Sequence, residues 1–404
     1  MLALVILSAL GLLLYAWAGY PLLLGLVGKR APSAVPLPLN DGRVVRLSVI
    51  LSAFNEESVI EARLTNLSSI AASLPASANF RVFVGVDGAT DRTAEVARRL
   101  VGRDSRLHLH DFGQRRGKVT VLKDLVAAAR LSDAGSPGTR LLLFTDANTF
   151  FRPDAASRLL AHFVDNAVGG VCGRLVFTAA PGRESPESAY WEWETWLKSR
   201  ESALDSCLGA NGAIYAIREE LFWEGIPANT VVDDFVIGMK IREQGFRMLY
   251  EPAAVAEEES PNVASEWTRR VRIGSGDFQA LALCRRCLAP QFGWFAWMFW
   301  SHKVLRWFTP HLCLLAFSGA LLAMTGTVPS AGPLAWLPLL TTIAFAGLLG
   351  CAVLGRFWRR SSGGLARLFQ LCDHFVTMQA ALFVGFLRWC RGDLTGHWTR
   401  TPRR

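Results

Sequence analysis

Hydrophobic positions along the chain fall into three regimes. Residues 2–27 are almost uncharged and end in Lys29-Arg30. Residues 46–283 alternate short apolar runs with segments of helical period, and long apolar stretches return beyond Phe292. In the middle regime, the unbroken apolar run 141–144 predicts a buried strand, and further strands are predicted at 46–53, 81–86, 170–177 and, weakly patterned, 107–110, with an edge strand at 247–255. Between them, Ile60, Leu64, Leu67 and Ile70 share one helical face, as do Ala94, Val96, Ala97 and Leu100, and then Leu122, Leu125 and Val126. Pro153 opens a further helix. Strands alternating with helices predict a mostly parallel sheet covered on both faces.

The first apolar stretch is long enough to cross a bilayer, which takes about 20 residues. Ala16-Trp17-Ala18 resembles a signal-peptidase site, but the apolar run continues past it, so the stretch reads as an uncleaved anchor. Lys29, Arg30, Arg43 and Arg46 follow it and predict a cytosolic middle region. The Pro-rich residues 31–41 read as a linker. At the other end, 292–300 suits an interfacial helix, and 308–324 and 334–354 are predicted spans. The segment 368–387 carries Asp373 and His374, and a third span would export an Arg-rich tail. An interfacial or re-entrant helix with a cytosolic C-terminus is therefore expected.

The net charge of +9 does not indicate nucleic acid, because no basic run is interleaved with stacking aromatics and many basic residues flank apolar segments. The eight cysteines are scattered, and Cys284-Arg-Arg-Cys287 is a lone pair, too little for a zinc site.

Candidate chemistry lies at strand ends. Three predicted strands end in acid-containing turns: Asn55-Glu56-Glu57, Asp87-Gly88 with Asp91, and Asp146-Ala147-Asn148. Each alone is an ordinary turn, since Asp and Asn favour turns. In successive strand-to-helix turns of one sheet they would face one crevice. The chain has no GxGxxG after the first strand and no GxxxxGK[ST], which removes the main support for dinucleotide or P-loop binding. Gly117-Lys118 opens a helix where a lysine can meet a phosphate. The turn 208–215 is glycine-rich, giving Asn211 and Gly212 either close approach to a ligand or merely a tight bend. Asp233 and Asp234 begin another helix; the helix dipole explains one of them, and the second is surplus that suits a general base. Arg269, Arg270 and Arg272 form a basic cluster that fits either a leaving-group clamp or surface pairs with Glu257 to Glu259. The aromatic helix 187–203 reads as packed on a core or a membrane surface.

In order, SAFNEE, VDGATD, GK, TDAN, GANGAIYAIR, VVDDF and RRVRIGSGDFQAL, with apolar segments on both sides and HWTRTPRR at the end, resemble the membrane-bound glycosyltransferase family 2 enzymes. That class includes cellulose, hyaluronan and poly-N-acetylglucosamine synthases. The resemblance implies a GT-A-type α/β nucleotide-sugar domain over 46–290, after an anchor (1–30) and linker (31–45), and before interfacial and transmembrane helices (291–390) and a basic tail (391–404). It implies that Ala53 and Glu57 line the nucleotide pocket, that Asp87 reads uracil and that Lys118 approaches the diphosphate. Asp146 and Asn148 would hold Mg²⁺ or Mn²⁺, Asp234 would be the base and Arg272 would face the leaving group, with Asn211, Gly212 and Asp233 near the acceptor. The implied reaction is inverting transfer from a UDP-sugar to a lipid-linked or glycan acceptor at the cytosolic face of the cell membrane, in a multi-pass protein of polysaccharide or envelope biosynthesis. The family's QxxRW reads Arg269-Arg270-Val271-Arg272-Ile273, without its Gln and Trp, which weakens the case for processive synthesis but not for transfer itself, with single-sugar transfer to a lipid carrier as the alternative. An inactive membrane scaffold with a partner subunit is the reading from another class; the retained Asp87, Asp146 and Asp234 argue against it.

Overall fold

The computed structural model describes residues 2–28, 44–178, 186–259, 263–325, 334–358 and 363–394. Most of the linker and the tail HWTRTPRR lie outside these. The chain divides into two compact units. One comprises Leu24–Asn262, Ala282–Ala296 and Leu394–Arg404, and the other Met1–Leu23, Val263–Leu281 and Trp297–Asp393.

The first unit is built on eight strands. They are β1 (Val45–Ala53), β2 (Ala78–Asp87), β3 (Leu107–Phe112), β4 (Thr139–Asp146), β5 (Thr149–Phe151), β6 (Val168–Thr178), β7 (Tyr215–Arg218) and β8 (Arg247–Glu259). Their order is β3-β2-β1-β4-β7-β6-β8-β5. The first four strands in that order run parallel, as do β6 and β8, whereas β7 is antiparallel to both β4 and β6 and β5 to β8. The apolar runs of β1, β2 and β4 are almost wholly buried, as strands covered on both faces must be. Helix Ile60–Ile70 buries the predicted Ile60, Leu64, Leu67 and Ile70, and also Arg63. Helix Lys118–Ser132 packs so closely on β2 that a Cβ at Gly85 would lie 2.4 Å from Val121 Cγ1.

The strand predicted at 247–255 runs on to Glu259, and β5 pairs with that extension, Thr149 opposite Glu258 and Phe151 opposite Ala256. A three-residue strand straight after the Asp146 turn carries too little pattern to be seen in sequence. Helix Val263–Leu283 belongs largely to the second unit, where small residues allow close contact; a Cβ at Gly385 would sit 2.6 Å from Ser275 N.

In the second unit, helices Leu2–Val27 and Leu337–Phe357 are long and apolar enough to cross a membrane. A pair, Trp294–Trp307 and Thr309–Met324, bent by 60°, would make a third span if counted as one. Leu321, Leu340, Ile343 and Val353 are exposed, as residues facing lipid would be. Helix Gly364–Cys390 is continuous. It runs against Leu337–Phe357, where a Cβ at Gly355 would meet the Phe369 carbonyl at 2.2 Å. Asp373 accepts from Arg356 Nε at 3.0 Å, which offsets the cost of a carboxylate in an apolar helix.

Candidate active site

Register sets the site. Ala53 lies level with Val86 on β2, and Ser52 level with Asp146 on β4, so the carboxyl ends of three parallel strands open onto one edge. Ligands in open α/β sheets bind at such an edge.

The first two turns are tied to each other. Asn55 adopts a left-handed backbone, φ +55°, which Asn tolerates better than most residues. Its Oδ1 accepts the Thr90 N–H at 2.8 Å, and its Nδ2 donates to Thr90 Oγ1 at 3.1 Å. The Glu56 N–H donates to Thr93 Oγ1, and the Glu57 carboxylate accepts the Arg92 N–H at 3.0 Å. Ala53 is fully buried at the end of β1. Asp87 is also buried, its two oxygens accepting the backbone N–H groups of Arg116 and Gly117 at 2.5 and 3.0 Å. Gly88, at φ +60°, leaves no room for a side chain, since a Cβ would lie 2.5 Å from Arg115 N. The Arg115 guanidinium covers the Phe54 ring at 3.8 Å. Asp87 thus fixes the loop that delivers Lys118.

Lys118, Asp146, Asp233 and Asp234 converge. Lys118 Nζ donates to Asp146 Oδ1 at 2.9 Å and lies 3.6 Å from Asp233 Oδ2. Gly212 completes the group, because a Cβ there would be 3.0 Å from Asp146 Oδ2 and 3.4 Å from Asp234 Oδ2. Helix Asp233–Glu243 reaches this position because it sits directly on the glycine-rich turn; a Cβ at Gly238 would be 2.7 Å from Ala210 N. Asn211 holds that turn, donating from Nδ2 to the Gly173 carbonyl at 2.8 Å and accepting the Ile214 N–H at 3.2 Å.

The electrostatics follow from crowding three acids around one base. Burial, then the charge of Asp233, pushes the Asp234 carboxyl up to about 6, against the opposing pull of Lys118 and the Phe235 N–H. Burial alone would lower Lys118, but Asp146, Asp233 and Asp234 hold it well above the ordinary lysine range. The Tyr215 phenol is raised by burial and then by the same acids. Its hydroxyl is buried and has no hydrogen-bond partner among the described residues.

A divalent cation fits this donor set only as a shared site. Among the described residues no group of three or more His, Cys, Asp or Glu side chains could cage a metal. Asp146, with 37% of its side chain exposed, can offer one carboxylate to an ion that takes its other ligands from diphosphate oxygens. Asn148 is buried, and its Nδ2 donates to Glu258 Oε1 at 2.9 Å on β8.

Arg272 lies on helix Val263–Leu283, in the second unit. Arg269 and Arg270 pair with Glu266 on their own helix, whereas Glu257 pairs with Arg152 at 2.8 Å. Of the two readings offered for this cluster, the surface pairing with Glu257 is thus not the one Arg269 and Arg270 adopt. Two residues near the acids escape the sequence reading, Arg63 and Tyr215. The signal for Arg63 was present: a cation on the apolar stripe of its helix, beside Leu64.

Comparison with known proteins agrees with this architecture. The model of the family "Glycosyl transferase family 2" matches residues 48–224. Glycosyltransferase AglD of Haloferax volcanii is 39% identical over 88 residues, which are 21% of this chain and 14% of that protein. The chain thus matches only a small part of that relative's length. The mannosyltransferase PcManGT from Pyrobaculum calidifontis, solved with GDP-Man and Mn²⁺, superposes with a TM-score of 0.68 at 21% identity, over 96% of this chain and 99% of that one. The two share a GT-A-like fold.

Proposed function

We propose that the protein is a membrane-anchored, inverting glycosyltransferase that moves a sugar from a nucleotide sugar to an acceptor hydroxyl, a reading supported by the match of residues 48–224 to the glycosyl transferase family 2 model. The observation that carries this is the meeting of Lys118, Asp146, Asp233 and Asp234 around Gly212, at the carboxyl ends of parallel strands. Asp234, whose carboxyl is raised to about 6, is ionised at neutral pH yet basic enough to take a proton from an alcohol as the new bond forms. Bases placed this way contribute about 10²–10⁴-fold. Lys118 faces the diphosphate, and Gly212 leaves space for the sugar. Asp146, with Asn148 beside it, would hold Mg²⁺ or Mn²⁺ together with the diphosphate; the ion would offset the leaving group's charge.

The donor is read as a UDP-sugar from the sequence. A GDP-sugar is the second reading, because PcManGT was solved with GDP-Man. The acceptor is read as lipid-linked or glycan at the cytosolic membrane face, since apolar helices lie on both sides of the domain. Ile273 in place of the family's Trp favours addition of one sugar to a lipid carrier over processive synthesis. The test is nucleotide release by the full chain in detergent across UDP- and GDP-sugars, with Mn²⁺, Mg²⁺ or chelator and added membrane lipid. Metal-dependent release with one donor class supports the proposal. No binding and no release with any donor would refute it.

A further inference from the structure

The helix Ile60–Ile70 buries a full positive charge directly behind the acids. Arg63 has no solvent exposure, and the negative charge of Asp146 acts on it without a direct ion pair. Burying an ionised group is among the most expensive things a fold can do unless it is paired and hydrogen-bonded, so its surroundings should show a compensating use.

The contacts show one. Arg63 donates from one guanidinium arm to Thr145 Oγ1 at 2.7 Å, and Thr145 donates onward to the Ala213 carbonyl at 2.7 Å. The other arm donates to Asn66 Oδ1 at 2.6 Å, and the Asn66 carboxamide is paired both ways with the backbone of Phe151, at 2.9 Å each. The guanidinium also lies 4.4 Å over the Phe151 ring. Thr145 immediately precedes Asp146, Phe151 ends β5, and Ala213 adjoins Gly212. One buried cation therefore grips both ends of the Asp146–Asn148 turn and, through one hydroxyl, the turn that presses Gly212 against Asp146 and Asp234.

We propose that Arg63 is a positioning residue of the donor site: from beneath the sheet edge it fixes the Asp146 turn and the Gly212 turn in register. This rests on the reading of the site as one for a nucleotide sugar. Groups that orient metal-binding carboxylates from behind typically matter by about 10–100-fold in affinity or activity.

The test compares the full chain with Arg63→Met, Arg63→Lys, Thr145→Val and the control Leu67→Ala, which empties an equally buried position of the same helix. Binding of UDP and GDP, with and without Mn²⁺, is measured by calorimetry well below each variant's melting temperature. The expected result is a loss of roughly ten-fold or more in Mn²⁺-dependent nucleotide affinity for Arg63→Met, and smaller losses for Arg63→Lys and Thr145→Val. Leu67→Ala should melt earlier yet bind as the wild type does. If Arg63→Met does not fold, Arg63→Lys and Thr145→Val decide alone. Wild-type affinity in both, or a parallel loss in Leu67→Ala, overturns the proposal. If the unaltered chain binds neither nucleotide, the site reading itself fails and this inference falls with it. Wild-type binding with an unaffected Arg63→Met removes only the role given to Arg63.

Discussion

Asp234→Asn removes a charge and a base while keeping shape, so it separates chemistry from binding and from folding. Three carboxylates share one lysine in this site. Two like charges at about 4 Å repel by about 4 kcal/mol at an effective dielectric of 20, and a nucleotide diphosphate would add further negative charge. Removing one carboxylate should therefore leave nucleotide affinity unchanged or improved. Turnover should instead fall about 10²–10⁴-fold, the contribution of a positioned base, which is about 3–5 kcal/mol of barrier. In the wild type, turnover should fall about ten-fold per pH unit below about 6, where Asp234 takes up a proton; in the variant that limb should disappear. Stability has its own sign. Folding raises this carboxyl above its unfolded value near 3.9, so Asp234 destabilises the fold above that range, fully so above about 6, and the penalty vanishes as pH falls below about 4. Asp234→Asn should therefore melt at or above the wild-type temperature at pH 7.5. Donor binding by calorimetry, product formation at saturating donor from pH 5 to 8.5, and melting curves test all three. Activity within ten-fold of wild type, or a loss of binding that tracks the loss of turnover, would refute the reasoning.

Other perturbations follow from single contacts. Gly212→Ala would put a methyl 3.0 Å from Asp146 Oδ2, so donor affinity should drop with little change in melting; equal affinity by titration would count against Gly212 as a site boundary. Gly88→Ala would force a side chain into φ +60° and 2.5 Å from Arg115 N. A destabilisation of about 1–3 kcal/mol in denaturant unfolding is expected. Tyr215→Phe deletes a buried hydroxyl that has no partner among the described residues, where an unsatisfied group costs about 1–3 kcal/mol. The nucleotide-free variant should melt no lower than the wild type, and a clear drop in melting temperature would show that the hydroxyl is bonded.

The legible part of this protein was what period and burial write into neighbouring residues. The apolar runs of β1, β2 and β4, the stripe Ile60, Leu64, Leu67 and Ile70, and the acid turns at their ends were all readable in order. So was the pair Asp233-Asp234 at a helix start. Tertiary structure decided which of those turns meet. Because β7 inserts antiparallel between β4 and β6, the Gly212 turn arrives beside Asp146, although 66 residues separate them in the chain. Other long-range pairings, β2 with β3 and β5 with β8, bring Asp87 to the backbone of Arg116 and Gly117 and Asn148 to Glu258. Tertiary contacts also seal Arg63 under two turns distant from it in sequence. Local patterns record whether a position is inside or outside, since that depends on the periods of helix and strand. Which charges share an interior depends on strand order, and no local period encodes strand order.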